Sequence, residues 1–249
     1  MLVKKRLLSI DVSSGSYNEF IGAILKYAIE RVSSYVCVAN VHMLIEAHNT
    51  PKYADVVNQA DIVTPDGMPL AQGFKYEYNL KQDRVDGMSL LPALLAECEK
   101  SDLSVYFYGG DQKTLNTAET YIREAYPTLR VAGLYSPPFR KLTEAEKLED
   151  EQRIKDSGAH LIFVALGCPK QEMWMAEMKG KVPALMIGIG GALPVFTGAQ
   201  KRAPKWMQDN SLEWVYRLIQ EPKRLFKRYL TTNSKFLYLL AKEKLKTKS

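Results

Sequence analysis

The chain has 249 residues, of which 46% are hydrophobic and 25% charged, a composition typical of a folded soluble protein and not of a disordered segment. Its three cysteines include no Cys-x-x-Cys pair, and the apolar stretch after the basic N-terminus is too short for a signal sequence, so we expect a reduced, cytosolic protein. The longest apolar run, residues 182–196, is broken by glycines and Pro194 and falls short of the ~20 residues that span a bilayer.

The charge is unevenly distributed along the chain. The formal net charge is +6, and residues 201–249 carry thirteen Lys or Arg against four Asp or Glu. That segment is therefore +9, and the first 200 residues together are −3. A near-neutral body with a basic end predicts an anionic partner at that end.

Strand-like and helix-like patterns alternate over the first 200 residues. Predicted strands cover residues 35–39, 61–64, 104–108, 129–134, 160–166 and 184–189. Predicted helices cover residues 17–32, 41–47, 52–59, 68–76, 89–100, 113–126, 143–157 and a segment that opens at Pro169. This alternation predicts an α/β fold, with a mostly parallel sheet covered by helices on both faces. We divide the chain into an α/β domain, residues 1–200, and a helical C-terminal segment, residues 201–249, called the appendage below.

Three local features add detail to this pattern. Residues 2–12 alternate loosely and predict a strand or a hairpin arm. Ser89 is a candidate N-cap for the helix that ends at Lys100. Thr143 and Glu146 have the spacing of a capping box.

A carboxylate stands where the second predicted strand of the sheet ends. In the stretch ADIVTPDGMPL, residues 60–70, Pro65 removes a backbone donor and Gly67 permits unusual backbone angles, so a buried strand ends at Thr64 or Pro65. Asp66 therefore lies at the edge where open α/β sheets bind their ligands. Pro-Asp-Gly is also a common turn sequence, so the motif gains weight only from the rest of the chain.

The other strand exits repeat the pattern. Because the carboxyl ends of parallel strands share one edge of a sheet, residues at these exits converge on one crevice. The glycine turns at residues 109–110 and 188–191 would let backbone amides approach a phosphate. With Arg84 from the polar loop 78–86, the candidate site residues are Asn40, Thr64, Asp66, Arg84, Gly109, Gly110, Gln171, Glu172 and Gly190.

The residue types at these exits favour acid–base chemistry without a metal or cofactor. The three histidines lie at no ligand spacing, and there is no Asp-x-Asp pair of the kind that holds a nucleotide-sugar metal ion. A single aspartate with Arg84 and Gln171 suits proton transfer from a neutral hydroxyl beside an anionic leaving group.

The appendage predicts a basic amphipathic helix from Pro222 onward. Its apolar residues are expected on one helical face: Leu225, Phe226, Tyr229, Leu230, Phe236, Leu237 and Leu240. Basic residues fall opposite or beside that face: Arg224, Lys227, Arg228 and Lys235. Two interpretations remain open, a helix that lies on a membrane surface and a helix that packs on the α/β domain with its basic face in water.

Seven motifs in this order resemble a known family. The motifs TPDGMPL, RVDG, GCPKQE, GIGGA, KRAPKW, LEWVYRL and EPKRLFKRYL are similar to those of the WecG/TagA/CpsF bacterial glycosyltransferases, glycosyltransferase family 26, and the resemblance runs from about Asp11 to Leu230. The resemblance implies a Rossmann-like sheet and metal-independent, inverting transfer of a sugar from a UDP-sugar to a polyprenyl-diphosphate-linked sugar at the inner face of the membrane. The implied substrates are N-acetylmannosamine as the donor sugar and undecaprenyl-diphosphate-N-acetylglucosamine as the acceptor, in teichoic acid, capsule or exopolysaccharide synthesis.

The resemblance also implies roles for individual residues. Asp66 resembles the catalytic base, and the pocket residues would be Asn40, Arg84 and Gln171. The appendage would meet the acceptor diphosphate and the membrane through Arg217, Arg224, Lys227 and Arg228. Two departures lie near the presumed crevice: Pro69 stands where the family usually has a glycine, and Leu193-Pro194 where it usually has Phe-Asp.

Two alternatives and several details stay open at this stage. The same crevice and basic tail would suit a binding module for nucleotide or lipid phosphate without catalysis, although Asp66 favours an enzyme over such a module. A nucleic-acid binder is suggested only by the sequence pI of about 9.0 and the tail aromatics, and we expect no nucleic-acid partner. The sequence leaves open the donor sugar, the acceptor sugar, the polysaccharide, and whether the protein is a homo-oligomer.

Overall fold

The computed structural model describes residues 2–210 and 212–247, without the side chains of Asp209, Arg224, Lys246 and Thr247. An N-terminal antiparallel hairpin consists of β1 (Val3–Leu7) and β2 (Ile10–Ser14). The main sheet has six strands, which are β3 (Ser34–Ala39), β4 (Ile62–Pro65), β5 (Val105–Gly109), β6 (Val131–Tyr135), β7 (Leu161–Ala165) and β8 (Leu185–Gly188). They are hydrogen-bonded in the order β4-β3-β8-β7-β5-β6, and each neighbouring pair is parallel.

The helices fill the connections between these strands and continue to the C-terminus. Those of the α/β domain are α1 (Tyr17–Ile29), α2 (Val41–Asn49), α3 (Pro51–Asn58), α4 (Met68–Tyr78), α5 (Gly87–Lys100), α6 (Gln112–Ala125), α7 (Glu144–Ser157), α8 (Lys170–Met178) and α9 (Ala192–Phe196). Those of the appendage are α10 (Lys205–Asp209), α11 (Glu213–Gln220) and α12 (Pro222–Thr247). The α/β class and the parallel sheet expected from the sequence are confirmed.

Two apolar cores lie on opposite faces of the sheet. Along β3, Val36 and Val38 face a core shared with α1, α5 and α6. The alternate residues Tyr35, Cys37 and Ala39 face a second core shared with α2, α3 and α8. Because every residue of β3 is buried, its sequence shows a continuous apolar run in place of alternation, as expected for a strand covered on both faces.

The position of β4 at the edge of the sheet explains how a proline fits into it. A proline cannot donate to a sheet ladder, so it is tolerated at an edge or a strand end. Pro65 is the last residue of this edge strand, and it pairs with Ala39 of β3. The hairpin covers part of the other side of β4, where the Ser13 hydroxyl accepts a hydrogen bond of 3.1 Å from the Val63 amide.

One helix start differs from the sequence prediction. Helix α5 begins at Gly87 with Asp86 as its N-cap, and not after Ser89. The Asp86 carboxylate accepts hydrogen bonds from the amide and the hydroxyl of Ser89, both of 3.0 Å. Both residue types are good caps, and the carboxylate lies one turn earlier where it can satisfy the free amide of the first turn. The capping box of Thr143 and Glu146 is confirmed.

Helix α12 has two apolar faces where the sequence predicted one. Leu225 and Phe236 are buried, and the inner face packs on α2. Phe226, Leu230 and Leu237 lie on a separate stripe and are 60%, 61% and 66% exposed. The prediction of a single face was wrong because the apolar arc is wide enough to be divided between a protein contact and an outer surface. We call the second set, Phe226, Leu230 and Leu237, the outer stripe.

The inner face shows that α12 packs on the α/β domain, which was one of the two interpretations left open. In the described part of the chain, every helix is too short or too polar to cross a lipid bilayer.

Candidate functional site at the carboxyl ends of the strands

Two polar side chains meet directly after the paired ends of β3 and β4. Ala39 and Pro65 are partners in the parallel ladder, so Asn40 and Asp66 leave the sheet side by side. The Asn40 amide donates a hydrogen bond of 3.5 Å to the Asp66 carboxylate, while its carbonyl oxygen caps α2. Gly67 follows with φ of +93°, a backbone conformation that glycine adopts without strain. The turn therefore projects Asp66 from the end of the sheet.

The loop before α5 is held against the end of β4. Thr64 is buried, and its hydroxyl donates to the Val85 carbonyl at 2.9 Å. The Val85 amide in turn donates to the Pro65 carbonyl at 3.0 Å. This short pairing places Arg84 and Asp86, the neighbours of Val85, near Asp66. In this structure Thr64 fixes the loop, and its hydroxyl faces protein.

Arg84 is held between two carboxylates. Its Nε and Nη2 donate to Asp86 Oδ2 at 3.2 and 2.9 Å, and its Nη1 donates to Glu213 Oε2 at 2.9 Å. Asp86 belongs to the α/β domain, whereas Glu213 is the first residue of α11 in the appendage. The guanidinium therefore links the two parts of the chain.

A second arginine of the appendage reaches the same carboxylate. Arg202 Nη2 donates to Asp86 Oδ1 at 3.1 Å and to the Ser89 hydroxyl at 2.8 Å. Asp86 is buried and is thus bound on both oxygens by an arginine. Because a buried carboxylate needs such partners, Asp86 depends on the appendage as well as on Arg84.

Arg217 approaches the site from α11. Its Nη2 lies 3.1 Å from the position that a Cβ atom on Gly191 would occupy, so the absence of a side chain at Gly191 makes room for the guanidinium. The charge of Arg217 also acts on Asp66. Within the described residues, no protein group accepts a hydrogen bond from Arg217, which leaves its donors available to an anion. The structure therefore brings Arg217 and Asp66 together, although 151 positions separate them.

The environment of Asp66 makes it a stronger base than an ordinary aspartate. Burial raises the pKa of its carboxyl to about 7, and the carboxylates of Asp86 and Glu213 add to this effect. Arg84 and Arg217 act in the opposite direction. A carboxyl with a pKa near neutrality is suited to accept a proton at physiological pH.

Gln171 and Glu172 lie beneath the exit of β8. The Gln171 amide donates to Glu172 Oε1 at 2.7 Å, and its carbonyl oxygen accepts from the Gly167 amide at 3.1 Å. Glu172 is fully buried, and Tyr53 donates to its other oxygen at 2.9 Å. Burial raises the pKa of Glu172, while its hydrogen bonds with Gln171 and Tyr53 oppose the shift. In this structure Glu172 contacts protein groups, and it orients the Gln171 amide.

The predicted glycine turns are packed closely against protein. A Cβ atom on Gly109 would lie 2.8 Å from the Ala165 backbone, and one on Gly190 would lie 3.2 Å from the Gln171 side chain. The amides of Gly110 and Gly190 donate to carbonyls of β7 at 3.1 and 3.3 Å. These two amides are therefore engaged within the sheet, which differs from the expected use of the turns to receive a phosphate.

The remaining appendage residues lie on α12. The Arg228 guanidinium carbon lies over the Tyr229 ring, 5.4 Å from its centroid. The Arg228 charge contributes to lowering the pKa of His42 at the start of α2, where burial is the larger cause. Lys227 is exposed. The side chain of Arg224 lies outside the described residues. Among Arg217, Lys227 and Arg228, the predicted appendage residues whose side chains the structure describes, Arg217 is the one given as acting on Asp66.

A cleft of about 540 Å³ opens beside Arg84, between the α/β domain and the appendage. Its lining comes from α1, the start of α4, the loop before α5, the first turn of α5, and α10: Tyr17, Met68, Asp83, Arg84, Asp86, Ser89, Lys205 and Gln208. Burial, followed by the charge of Asp86, raises the pKa of Tyr17 to about 12, so this phenol is neutral and can donate a hydrogen bond. Among the residues that the structure describes, no three His, Cys, Asp or Glu side chains are grouped so as to hold a metal ion.

Three charged residues at this site were not singled out from the sequence. Asp86, Arg202 and Glu213 lie in motifs that the family resemblance quoted, RVDG, KRAPKW and LEWVYRL, but no role was assigned to them. With Asp66, Arg84 and Arg217 they form a set of three carboxylates and three guanidinium groups. Each part of the chain supplies three of the six charges, so the site is complete only with the appendage in place.

Comparisons with known proteins show which sequences this chain is similar to. A model of the family described as "Glycosyl transferase WecG/TagA/CpsF family" matches residues 5–249. A Bacillus subtilis (strain 168) protein is 29% identical over 238 residues, which cover 95% of this chain and 91% of that protein. A Bacillus spizizenii (strain W23) protein is 29% identical over 222 residues, covering 88% and 84%. Both are named N-acetylglucosaminyldiphosphoundecaprenol N-acetyl-beta-D-mannosaminyltransferase.

Proposed function

Since the chain belongs to the WecG/TagA/CpsF family of glycosyl transferases, we propose that it transfers N-acetylmannosamine from a UDP-sugar to N-acetylglucosamine carried on undecaprenyl diphosphate. The names of the two Bacillus relatives supply the transferred sugar and the acceptor. The observation in this chain that carries the proposal is the Asp66 carboxyl, which lies beside Asn40 at the end of the sheet and has a pKa of about 7, with the charges of Arg84 and Arg217 acting on it.

The proposed reaction is a single displacement with inversion. The acceptor hydroxyl attacks the anomeric carbon of the donor, the bond from that carbon to the UDP oxygen breaks, and UDP leaves with the electron pair. Asp66 takes the proton of the attacking hydroxyl, and Asn40, which donates to Asp66, holds the carboxylate in position. Arg84 and Gln171 are proposed to contact the substrates.

The arginines are proposed to stabilise diphosphate charge. The guanidinium group binds phosphate through paired N–H donors, and those of Arg217 face the site without a protein acceptor among the described residues. We assign Arg217, Arg224 and Arg228 to the acceptor diphosphate, with Lys227 at the lipid surface.

An assay with a short-chain lipid diphosphate carrying N-acetylglucosamine tests the function directly. UDP release is measured with a panel of UDP-sugars, and the product is identified by mass spectrometry. We expect UDP-N-acetylmannosamine to give the highest kcat/KM. Transfer of another hexose in its place would keep the reaction class and change the donor, whereas UDP-sugar binding without release of UDP would favour a binding module.

Chelation should leave the reaction nearly unchanged. Because side-chain guanidinium groups are proposed to neutralise the diphosphates, excess EDTA is expected to alter the initial rate by less than about twofold. EDTA presaturated with calcium serves as the control for ionic strength. A loss of rate with EDTA that magnesium or manganese restores would contradict this prediction.

The outer stripe of α12 is proposed to contact the membrane surface at the inner face of the cell membrane. Its three apolar side chains are exposed, and the appendage carries the excess of basic residues. Replacing Phe226, Leu230 and Leu237 together by glutamine should weaken binding to vesicles that contain anionic lipid at least about tenfold. The variant lacks the apolar surface that the lipid would otherwise remove from water.

The matched control uses apolar residues with similar exposure elsewhere. Phe139 and Leu148 are 87% and 65% exposed on the α/β domain, so their replacement by glutamine is expected to leave vesicle binding unchanged. Sedimentation with vesicles measures both variants. Equal binding by the outer-stripe variant and the wild type would place the membrane contact elsewhere.

A further inference from the structure

The ion pair of Arg84 and Glu213 joins the two parts of the chain at the catalytic end. The atoms Nη1 and Oε2 are 2.9 Å apart, and each side chain is only 14% exposed. A pair sheltered in this way is weakly screened by salt, and removing one partner leaves the other charge uncompensated. The contact is thus more than a solvated surface pair.

The hydrogen bonds of Arg84 are directed away from Asp66. All three that the structure gives for its guanidinium go to Asp86 and Glu213. The carboxylate of Asp66 receives its hydrogen bond from the neutral amide of Asn40. Within the described residues no salt bridge joins Arg84 to Asp66, although the two are close enough for their charges to interact.

We propose that Glu213 is a positioning residue for the transfer reaction. Its carboxylate, supplied by the appendage, holds the Arg84 guanidinium beside Asp86 and prevents it from pairing with Asp66, so that Asp66 stays free to accept the proton of the acceptor hydroxyl. This inference rests on the proposed function. It adds a role for a residue that neither touches the reacting atoms nor resembles a substrate ligand.

The charges that face Asp66 support this role. The loop before α5 supplies Arg84 and Asp86, α11 supplies Glu213 and Arg217, and the start of α2 supplies the neutral Asn40. Neutralising Glu213 removes one carboxylate that repels the charged form of Asp66, and it releases an Arg84 donor that attracts that form. Both changes favour ionised Asp66 and make it a weaker base. Asp66 therefore gains its full basicity only when the appendage is docked.

The pH dependence of Glu213→Gln tests this inference. Glutamine keeps the size of the side chain but removes the charge, so it holds the Arg84 guanidinium less strongly than the carboxylate does. We expect the acid limb of kcat/KM to move to lower pH by at least about half a unit, with a fall in kcat of about threefold to tenfold at the plateau. The KM for the UDP-sugar should change little, since Glu213 is not a substrate ligand.

Two further variants separate positioning from general damage to the appendage. Glu221→Gln neutralises another glutamate of the appendage, one that accepts from Gln200 at 3.1 Å, and its acid limb should match the wild type. Glu213→Asp keeps the charge but shortens the side chain by one methylene group, which moves the charge away from Arg84. The acid limb of kcat/KM for this variant should lie between those of the wild type and Glu213→Gln. Circular dichroism and limited proteolysis of the appendage check the fold of each variant.

An NMR titration of the Asp66 side-chain carboxyl carbon measures the same effect without turnover. A lower titration midpoint in Glu213→Gln is expected, and if that variant does not fold, Glu213→Asp takes its place in both measurements. The inference is overturned if neither the acid limb of kcat/KM nor the titration midpoint of Asp66 moves in the variant. It is also overturned if the variant binds the UDP-sugar more tightly while both stay unchanged, because Glu213 would then only compete with the substrate for Arg84. A wild-type protein without transferase activity contradicts the proposed function, and the NMR midpoint then still decides this inference.

Discussion

Asp66→Asn is expected to lower kcat by about 10²–10⁴-fold, the usual cost of losing a positioned general base. Asparagine keeps the shape of the side chain and can still bond with Asn40, but it cannot accept a proton from the acceptor hydroxyl. Binding of the UDP-sugar should therefore be largely retained. Single-turnover and steady-state measurements of UDP release, with binding by calorimetry, separate the two effects.

The matched control is Asp111→Asn. Asp111 also follows a strand of the sheet, but its carboxylate is exposed and caps α6, a role that asparagine fills equally well. Its turnover should be close to that of the wild type. Near-normal turnover of Asp66→Asn in the same assay would remove Asp66 from the mechanism.

The raised pKa of Asp66 also predicts how activity and stability depend on pH. Wild-type kcat/KM should fall as the pH drops below about 7, where Asp66 becomes protonated. The folded state binds the Asp66 proton more tightly than the unfolded state does. The protonated carboxyl therefore contributes its full stabilisation of the fold below the ordinary pKa of 3.8, and this stabilisation is lost as the pH rises through about 7. Asp66→Asn should thus melt at an equal or higher temperature than the wild type at pH 8. A lower melting temperature there would attribute any loss of turnover to damage of the fold.

Arg217→Ala is expected to lower kcat/KM for the lipid-linked acceptor by about 10²-fold, as for the removal of one well-placed donor to a developing charge. The guanidinium lies against Gly191 and acts on Asp66, so the loss concerns the catalytic end of the sheet. Arg217→Lys should lose less activity, because it keeps the charge but not the paired donors. The KM for the acceptor should rise more than the KM for the UDP-sugar.

Lys242→Ala provides the control on the same appendage. Lys242 is exposed on α12 beside the Tyr238 ring, so its removal should affect vesicle binding and leave turnover of a short-chain acceptor in solution unchanged. The corresponding residue one turn later, Lys246, has a side chain outside the described residues. Equal activity of Arg217→Ala and Lys242→Ala would remove Arg217 from the acceptor site.

The sequence was most informative where local pattern and sheet geometry combine. Asn40 and Asp66 could be placed together because each follows a buried strand and neighbouring parallel strands end at one edge. Gly67 was correctly expected at a position with unusual backbone angles. Such predictions depend on the chain near each residue and on one general rule of topology.

The parts that the sequence could not predict depend on distant contacts. Ser89 and Asp86 are both good caps, and only the packing of the loop on β4 selects Asp86. Glu213 lies 129 positions from Arg84, so no local pattern connects them. The apolar arc of α12 gave no sign that one half would face α2 and the other half would stay exposed, because periodicity describes a helix and not its neighbours.

Helix α12 packs on the α/β domain with its inner face and exposes its outer stripe, and this division affects the kinetics of the proposed reaction. Its inner face fixes the helix to the α/β domain, so the outer stripe lies at a set position relative to Asp66. With that stripe in lipid, the enzyme meets its acceptor by lateral diffusion in two dimensions. Turnover would then follow the mole fraction of acceptor within the bilayer, and adding inert lipid at constant total acceptor would slow it by surface dilution.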